Sequence, residues 1–348
     1  MALVEMVIAT AIAVVLMGVA FHFFDDLEGM TESVSVMSEV NSSLRASADL
    51  ITRDLYAAGT SIPTGGIPLP SLNGVTQVKR PGLGSTDFPS TSNGSNGVVL
   101  SVITPGQGLS GTIDGKVSDE ITIITTDPYW TSQNLPVASV TSSISTGYTV
   151  DVTIPGAPEC TSNCSIAAGG QYAVSTGDLL MFSSGGGYAL GMVTSVDTTS
   201  NIIYFAADPL DLDQVCAGAT GCGGTIDSLE VGGAYPPGIT LTKIDMITYY
   251  IDNSNPSHPY TLERELGASA PTAVAYGINN LQFTYDLSTG GSGSTDLPSP
   301  VNPNQISKVN LWLSGISNYA LRRSRQYYSS NIASAVTIRN LEYVNQFP

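Results

Sequence analysis

The chain has 348 residues, enough for one large domain or two smaller ones with a sizeable core. Asp and Glu outnumber Lys and Arg by 29 to 12, and the resulting net charge of -17 argues against nucleic acid as a primary partner, because that binding rests on neutralising phosphates. Only 12% of residues are charged, and Ser, Thr, Gly and Asn fill the polar positions instead, a look common among secreted β-rich proteins.

The chain opens on its most apolar stretch, residues 1–24. Its exceptions are Glu5, Thr10, His22 and the small Gly18. An apolar helix of ~20 residues can cross a bilayer core of ~30 Å. The stretch has no basic leading region and no small-residue cleavage site, so it does not read as a secretory signal peptide. No Lys or Arg occurs before Arg45, so the positive-inside rule finds no anchor. The expectation is that a basic leader has been removed and that Met1 is a mature N-terminus. Glu5 is then a carboxylate in an apolar segment, costly unless paired. It either meets a partner charge or snorkels to the membrane surface.

From Leu27 the apolar residues recur at Leu27, Met30, Val34, Met37, Leu44, Ala48, Ile51 and Leu55, with Asn41 in the missing seam position. This is a heptad stripe on an amphipathic helix. Ala58-Gly59 reads as its end, with Gly59 in the left-handed cap position. The spacing predicts one helix of about 58 residues, about 85 Å long. Residues 1–24 form a hydrophobic stem, and 25–58 form an amphipathic half whose stripe from Leu27 to Leu55 packs on a globular domain.

Residues 60–97 read as an irregular surface loop, rich in Pro, Gly, Ser and Asn. Strands are expected at Val98–Ile103, Ile121–Thr126 and Tyr148–Ile154, then in a compact run at Tyr172–Phe182, Tyr188–Val196 and Ile202–Ala206. That run suggests a small β-rich insertion at about 160–230 within a domain of residues 59–348. Residues 207–238 read mostly as loop. Further strands are expected at Ile239–Asp252, Tyr260–Leu266, Ile278–Asp286, Lys308–Ser314 and Ala335–Tyr343. The fold class is α+β: a long N-terminal helix laid against an antiparallel sheet.

The cysteines form two close pairs, Cys160/Cys164 and Cys216/Cys222. Local disulfides in an oxidising compartment suit them, with pairing 160–164 and 216–222 the simplest arrangement. A four-thiolate zinc site is the rival reading, but the spacings are not the usual ones and no histidine lies near. Asp208, Asp211 and Asp213 are weak calcium candidates without EF-hand spacing, and acidic loops are usually just solvated. His22 lies in the stem and His258 in a turn, so catalysis has little to stand on. The expectation is a non-enzyme with no cofactor beyond that calcium.

The start Met1-Ala2-Leu3-Val4-Glu5-Met6 resembles the mature N-terminus of type IV pilins and type II secretion pseudopilins, the pilins with an N-terminal methylation motif. Their usual run is Phe-Thr-Leu-Ile/Val-Glu. Leu3, Val4 and Glu5 match; Met1 and Ala2 depart from the commonest residues, and His22 replaces a proline often found there. A softer resemblance links LITRDLYAAG at 50–59, the 247–250 and 262–264 segments, and VTIRNLEYV at 336–344 to the larger PilW-like minor pilins. The resemblance implies a pilin-like fold and a structural subunit of an extracellular filament. Glu5 would pair with the free α-amino group of Met1 on a neighbouring subunit and set axial register. Leu3, Val4, Met6, Val7, Ile8, Ile12, Val15, Leu16, Phe21 and Phe24 would pack stem on stem. The implied partners are other copies or related pilins, with a prepilin peptidase, an assembly platform and the inner membrane before assembly. Bulk and minor or priming roles both stay open. The alternative is a membrane-anchored adhesin or carbohydrate-binding module using the insertion.

Overall fold

Between Ala2 and Ala57 no proline interrupts the chain, and the computed structural model makes this one α-helix of 56 residues, α1. The structure describes residues 2–338 apart from 64, 73–74, 77, 84–85, 89–97, 114, 129, 131–133, 144, 157–159, 161–162, 216–221, 257–259, 289–295, 298–302 and 323. The helix ends as the sequence predicts. Gly59 takes a positive φ of 74° and donates its N–H to the Ile124 carbonyl at 2.9 Å. The Thr125 hydroxyl donates to the Ala57 carbonyl at 2.8 Å, so a strand supplies the cap.

The β domain is built on antiparallel strands, which we number β1 Glu120–Thr126, β2 Leu135–Ser143, β3 Gly147–Val152, β4 Leu179–Ser184, β5 Gly187–Met192, β6 Ile202–Phe205, β7 Thr240–Asp252, β8 Thr261–Leu266, β9 Ile278–Leu287, β10 Ile306–Ala320 and β11 Tyr327–Thr337. The fold is α+β, with the helix packed on this domain. The 13-residue β7 is the spine of an 11-stranded sheet. One of its edges holds β4 and then β8; the other holds β2 and then β1. β9, β10 and β11 form a separate three-stranded sheet.

Two hydrophobic clusters result. The first joins Leu44, Ile51 and Leu55 of α1 to Ile247 and Tyr249 of β7 and to Leu281, Leu311 and Leu313 of β9 and β10. The second is built from Leu135, Tyr148, Val150, Phe182, Phe205 and Leu241, with Trp130 and Tyr172 edge to face at 5.9 Å. β7 threads both, through Ile244 to Ile251 in the first and Leu241 in the second.

Several expectations need correction. The β-rich insertion expected at about 160–230 has no boundary at 160, because its core starts at Trp130 and its strands continue the sheet of β7. β2 was missed: its inward positions are few (Leu135 and Val140 are buried) and Ser and Thr face outward. The strand expected from Tyr172 begins at Leu179; Tyr172 and Val174 are buried from a loop. The stretch expected mostly as loop at 207–238 is so among its described residues, apart from a two-residue strand, Cys222–Gly223, whose backbone pairs with Leu72 and Ser71, and a short 3-10 helix at Ile226–Leu229. The last strand runs Tyr327–Thr337 rather than Ala335–Tyr343, and residues 339–343 lie outside the described ones. The apolar letters after 335 drew the expectation away from a strand whose own residues are mostly polar or small.

The expected stripe from Leu27 to Leu55 is half right. Leu44, Ala48, Ile51 and Leu55 are buried, but Leu27, Met30, Val34 and Met37 are exposed. The domain covers a different face there, through Val36 and Val40. Gly315 of β10 makes the close approach work. A Cβ at that position would stand 3.2 Å from Leu44 Cγ and Val40 Cγ1. Asn41, the polar residue in the seam, exchanges hydrogen bonds with β11: its amide donates to the Tyr328 hydroxyl at 3.5 Å, and it accepts from Ser330 Oγ at 2.9 Å.

Candidate assembly site on the helix

The helix is long and apolar enough at its N-terminal end to cross a membrane. Of the expected stem residues, Leu3, Met6, Val7, Ile8, Ile12, Val15, Leu16, Phe21 and Phe24 are each more than half exposed. Val4 lies in the helix, Glu5 is exposed on it, and Met1 lies outside the described residues. The polar side chains of this segment are handled internally. Thr10 donates its hydroxyl back to the Met6 and Val7 carbonyls, both at 3.0 Å. His22 Nδ1 lies 3.7 Å from Asp26, one turn ahead.

At about 100° per residue, Glu5, Ile12, Leu16, Val19, Phe23, Leu27, Met30, Val34 and Met37 fall within one sector of about 80°. The domain-facing Val36 and Val40 lie about a third of a turn away, and only farther along, at Leu44, Ala48 and Leu55, does the covered face come round to the stripe's own sector. The helix thus carries two apolar faces. Up to Met37 one of them, the stripe that holds Glu5, is left uncovered by the described residues. The uncovered stripe runs about 48 Å from Glu5 to Met37, well beyond a bilayer core of about 30 Å. Its last four members, Leu27 to Met37, lie past Asp25, the first charge after Glu5. An apolar stripe of this length facing water marks an interaction surface.

What holds the other half of the helix down is partly polar. Asp54 is buried, and its Oδ2 accepts from the Tyr249 hydroxyl at 2.7 Å and from Arg264 Nε at 2.9 Å. This clamp ties α1 to β7 and β8 at once. Burial in this carboxylate's neighbourhood pushes the Tyr249 phenol well above its usual range. Sequence reasoning missed the clamp, since Asp54, Tyr249 and Arg264 are far apart in the chain. The only signal was a carboxylate on the buried side of the helix, one residue before Leu55.

The remaining predicted sites have structural explanations. Cys160 and Cys164 form the expected disulfide, the one disulfide among the described residues. The expected bond between Cys216 and Cys222 is not among them, because Cys216 lies outside the described residues. Cys222 lies opposite Leu72 in the short strand. Asp208 accepts the backbone N–H groups of Leu210, Leu212 and Asp213, each at 2.8 Å. Asp213 accepts from the Met192 N–H at 3.0 Å, and Asp211 sits at an exposed turn with a φ of 56°. Asp208 and Asp213 organise this loop, Asp213 tying it to β5, and among the described residues no group of three or more His, Cys, Asp or Glu is placed to hold a metal. Burial, helped by the neighbouring Asp208, pushes the Asp213 carboxyl up to about 9. Asp227 accepts from the Tyr148 and Tyr235 hydroxyls, both at 3.0 Å. Arg80 and Glu120 form a buried pair at 2.6 Å, and Arg80 also donates to the Thr104 and Pro105 carbonyls. His258 lies outside the described residues.

Compared with known protein families, curated proteins and solved structures, the chain matches none.

Proposed function

We propose that the chain is a structural subunit of a type IV pilus or a pilus-like extracellular filament, with a pilin-like fold, polymerising through its N-terminal helix. The observation that carries this reading is the uncovered apolar stripe. It bears Glu5 near one end and reaches Met37 at the other, farther than a membrane can cover. A simple anchor needs only the first part of that length. A bundle of like helices would cover all of it.

Before assembly the stem rests in the inner membrane, where a prepilin peptidase and an assembly platform act on it. Afterwards it rests among other stems in a cell-surface filament. Glu5 pairs with the α-amino group of a neighbour, so that two charges costly in a dry bundle cancel and set register. The domain, held by the Asp54 clamp, coats the outside.

Two variants test this by electron microscopy of the assembled material. Glu5→Ala is expected to abolish or shorten filaments. The double variant Met30→Ser, Val34→Ser is expected to weaken assembly while the isolated subunit melts as the parent does. Normal surface display, with no filament from the parent chain under any condition, overturns the reading in favour of a monomeric anchored binding module.

A further inference from the structure

β10 and β11 join in a hairpin whose tip reaches the helix where its apolar run ends. Arg322 in the tip lies 3.2 Å from Asp25 Oδ1 and 3.3 Å from Glu28 Oε2. Those two contacts set the height of the tip along α1. Asp25 follows directly on Phe24, and Glu28 stands about 4.5 Å farther up. The headgroup layer on each side of a bilayer is about 5–7 Å deep. With the stem in a membrane, the tip therefore lies at headgroup level.

Its composition is unusual for this chain. Arg322, Arg323 and Arg325 are three of the 12 basic residues in a protein of net charge -17. Arg323 lies outside the described residues; Arg322 and Arg325 are exposed. Arg325 sits in a tight turn, with a φ of 53° and its N–H on the Leu321 carbonyl at 2.7 Å. Tyr319 and Tyr327 flank the turn, both about half exposed. Arginine with tyrosine, level with the end of an apolar span, is the chemistry of a membrane interface. The carboxylates at this level, Asp25 and Glu28, are taken up by Arg322, and Asp26 faces His22. That leaves Arg325 free of a carboxylate among the described residues.

We propose that this hairpin tip docks on anionic phospholipid headgroups. Arg325 pairs with lipid phosphate while Tyr319 and Tyr327 lie in the interfacial layer. The rest of the acidic surface is repelled by the same lipids, so the tip fixes how the domain stands over the membrane before assembly. This rests on the stem lying in a bilayer, as proposed above.

The test uses the full chain, one copy per nanodisc, in phosphatidylcholine alone or doped with phosphatidylglycerol, with hydrogen exchange read over residues 319–328. Exchange is expected to slow about fivefold in the doped discs, the worth of one arginine at an anionic surface. Arg325→Glu and high salt are each expected to remove the effect. Equal exchange in both discs overturns the proposal, as does protection that follows the number of copies per disc rather than lipid charge. Failure of the chain to insert in either disc, read by flotation, overturns the stem reading instead.

Discussion

Leu16 and Leu44 lie on one unbroken helix, yet the first is 64% exposed and the second 1%. The same residue type serves two solvents. Around Leu16 every face of the helix is apolar and none meets the domain. Around Leu44 one face is closed by Gly315 of β10 and by a shared core, and the rest is polar. The comparison teaches that helix formation and helix packing are separate decisions. Uninterrupted helix-compatible sequence makes the helix throughout, but only its C-terminal part gains stability from tertiary burial.

The contrast can be broken most strongly at the polar clamp. Asp54→Ala would leave Arg264 without its carboxylate and Tyr249 without its acceptor. It is expected to cost about 3–5 kcal/mol in denaturant unfolding of the domain. Leu44→Ala comes next, at about 2–5 kcal/mol, by transfer and cavity terms. Leu16→Ala should fall within about 0.5 kcal/mol in the same assay, because Leu16 is largely exposed and meets no part of the described domain. An equal loss at both positions would sink the two-solvent view. Gly315→Val pushes a larger side chain against Val40 and Leu44 and should cost about 1–3 kcal/mol by overpacking. The carboxylates repeat the contrast. Asp213 is buried and holds its proton up to about 9, far above its ordinary 3.8. The folded state therefore binds more protons than the unfolded one between those values. Stability is fully present below the unfolded value and declines as pH rises through the window, by at most about 1.4 kcal/mol per unit. Asp213→Asn is expected to flatten that decline in melts from pH 5 to 9. A small effect is also expected of Arg322→Ala, whose exposed ion pairs with Asp25 and Glu28 are worth about 0–1 kcal/mol to the stability of the fold.

Much of this was legible in the chain. The helix and its Gly59 stop follow from local rules: no proline before Pro63, and a glycine free to take positive φ. β1, β3, β7 and β9 carry enough β-branched and aromatic residues to announce themselves. The disulfide between Cys160 and Cys164 needs only a spacing of four, which a loop can close. β2 and β11 were harder, because strands that present Ser, Thr and Ala to water carry little apolar alternation. Their pairing is bought by neighbours on β3, β7 and β10. The short strand at Cys222 was harder still, since two residues carry no period and only the pairing with Leu72 and Ser71 defines it.

By itself, the sequence determined that an apolar helix leads the chain, that it is amphipathic beyond residue 27, and that a β-rich acidic domain follows. Those properties are written in neighbours along the chain, where propensity and period act. Only the tertiary structure decided which stripe is covered. Leu27, Met30, Val34 and Met37 look from sequence just like Leu44, Ile51 and Leu55, and differ in which face of the helix the domain covers at their level. It also decided that Asp54 meets Tyr249 and Arg264, and that Arg322 stands beside Asp25. Those pairings join residues roughly 200 to 300 positions apart. No local rule carries that distance; only the register of the sheets on the helix brings such groups within hydrogen-bonding reach.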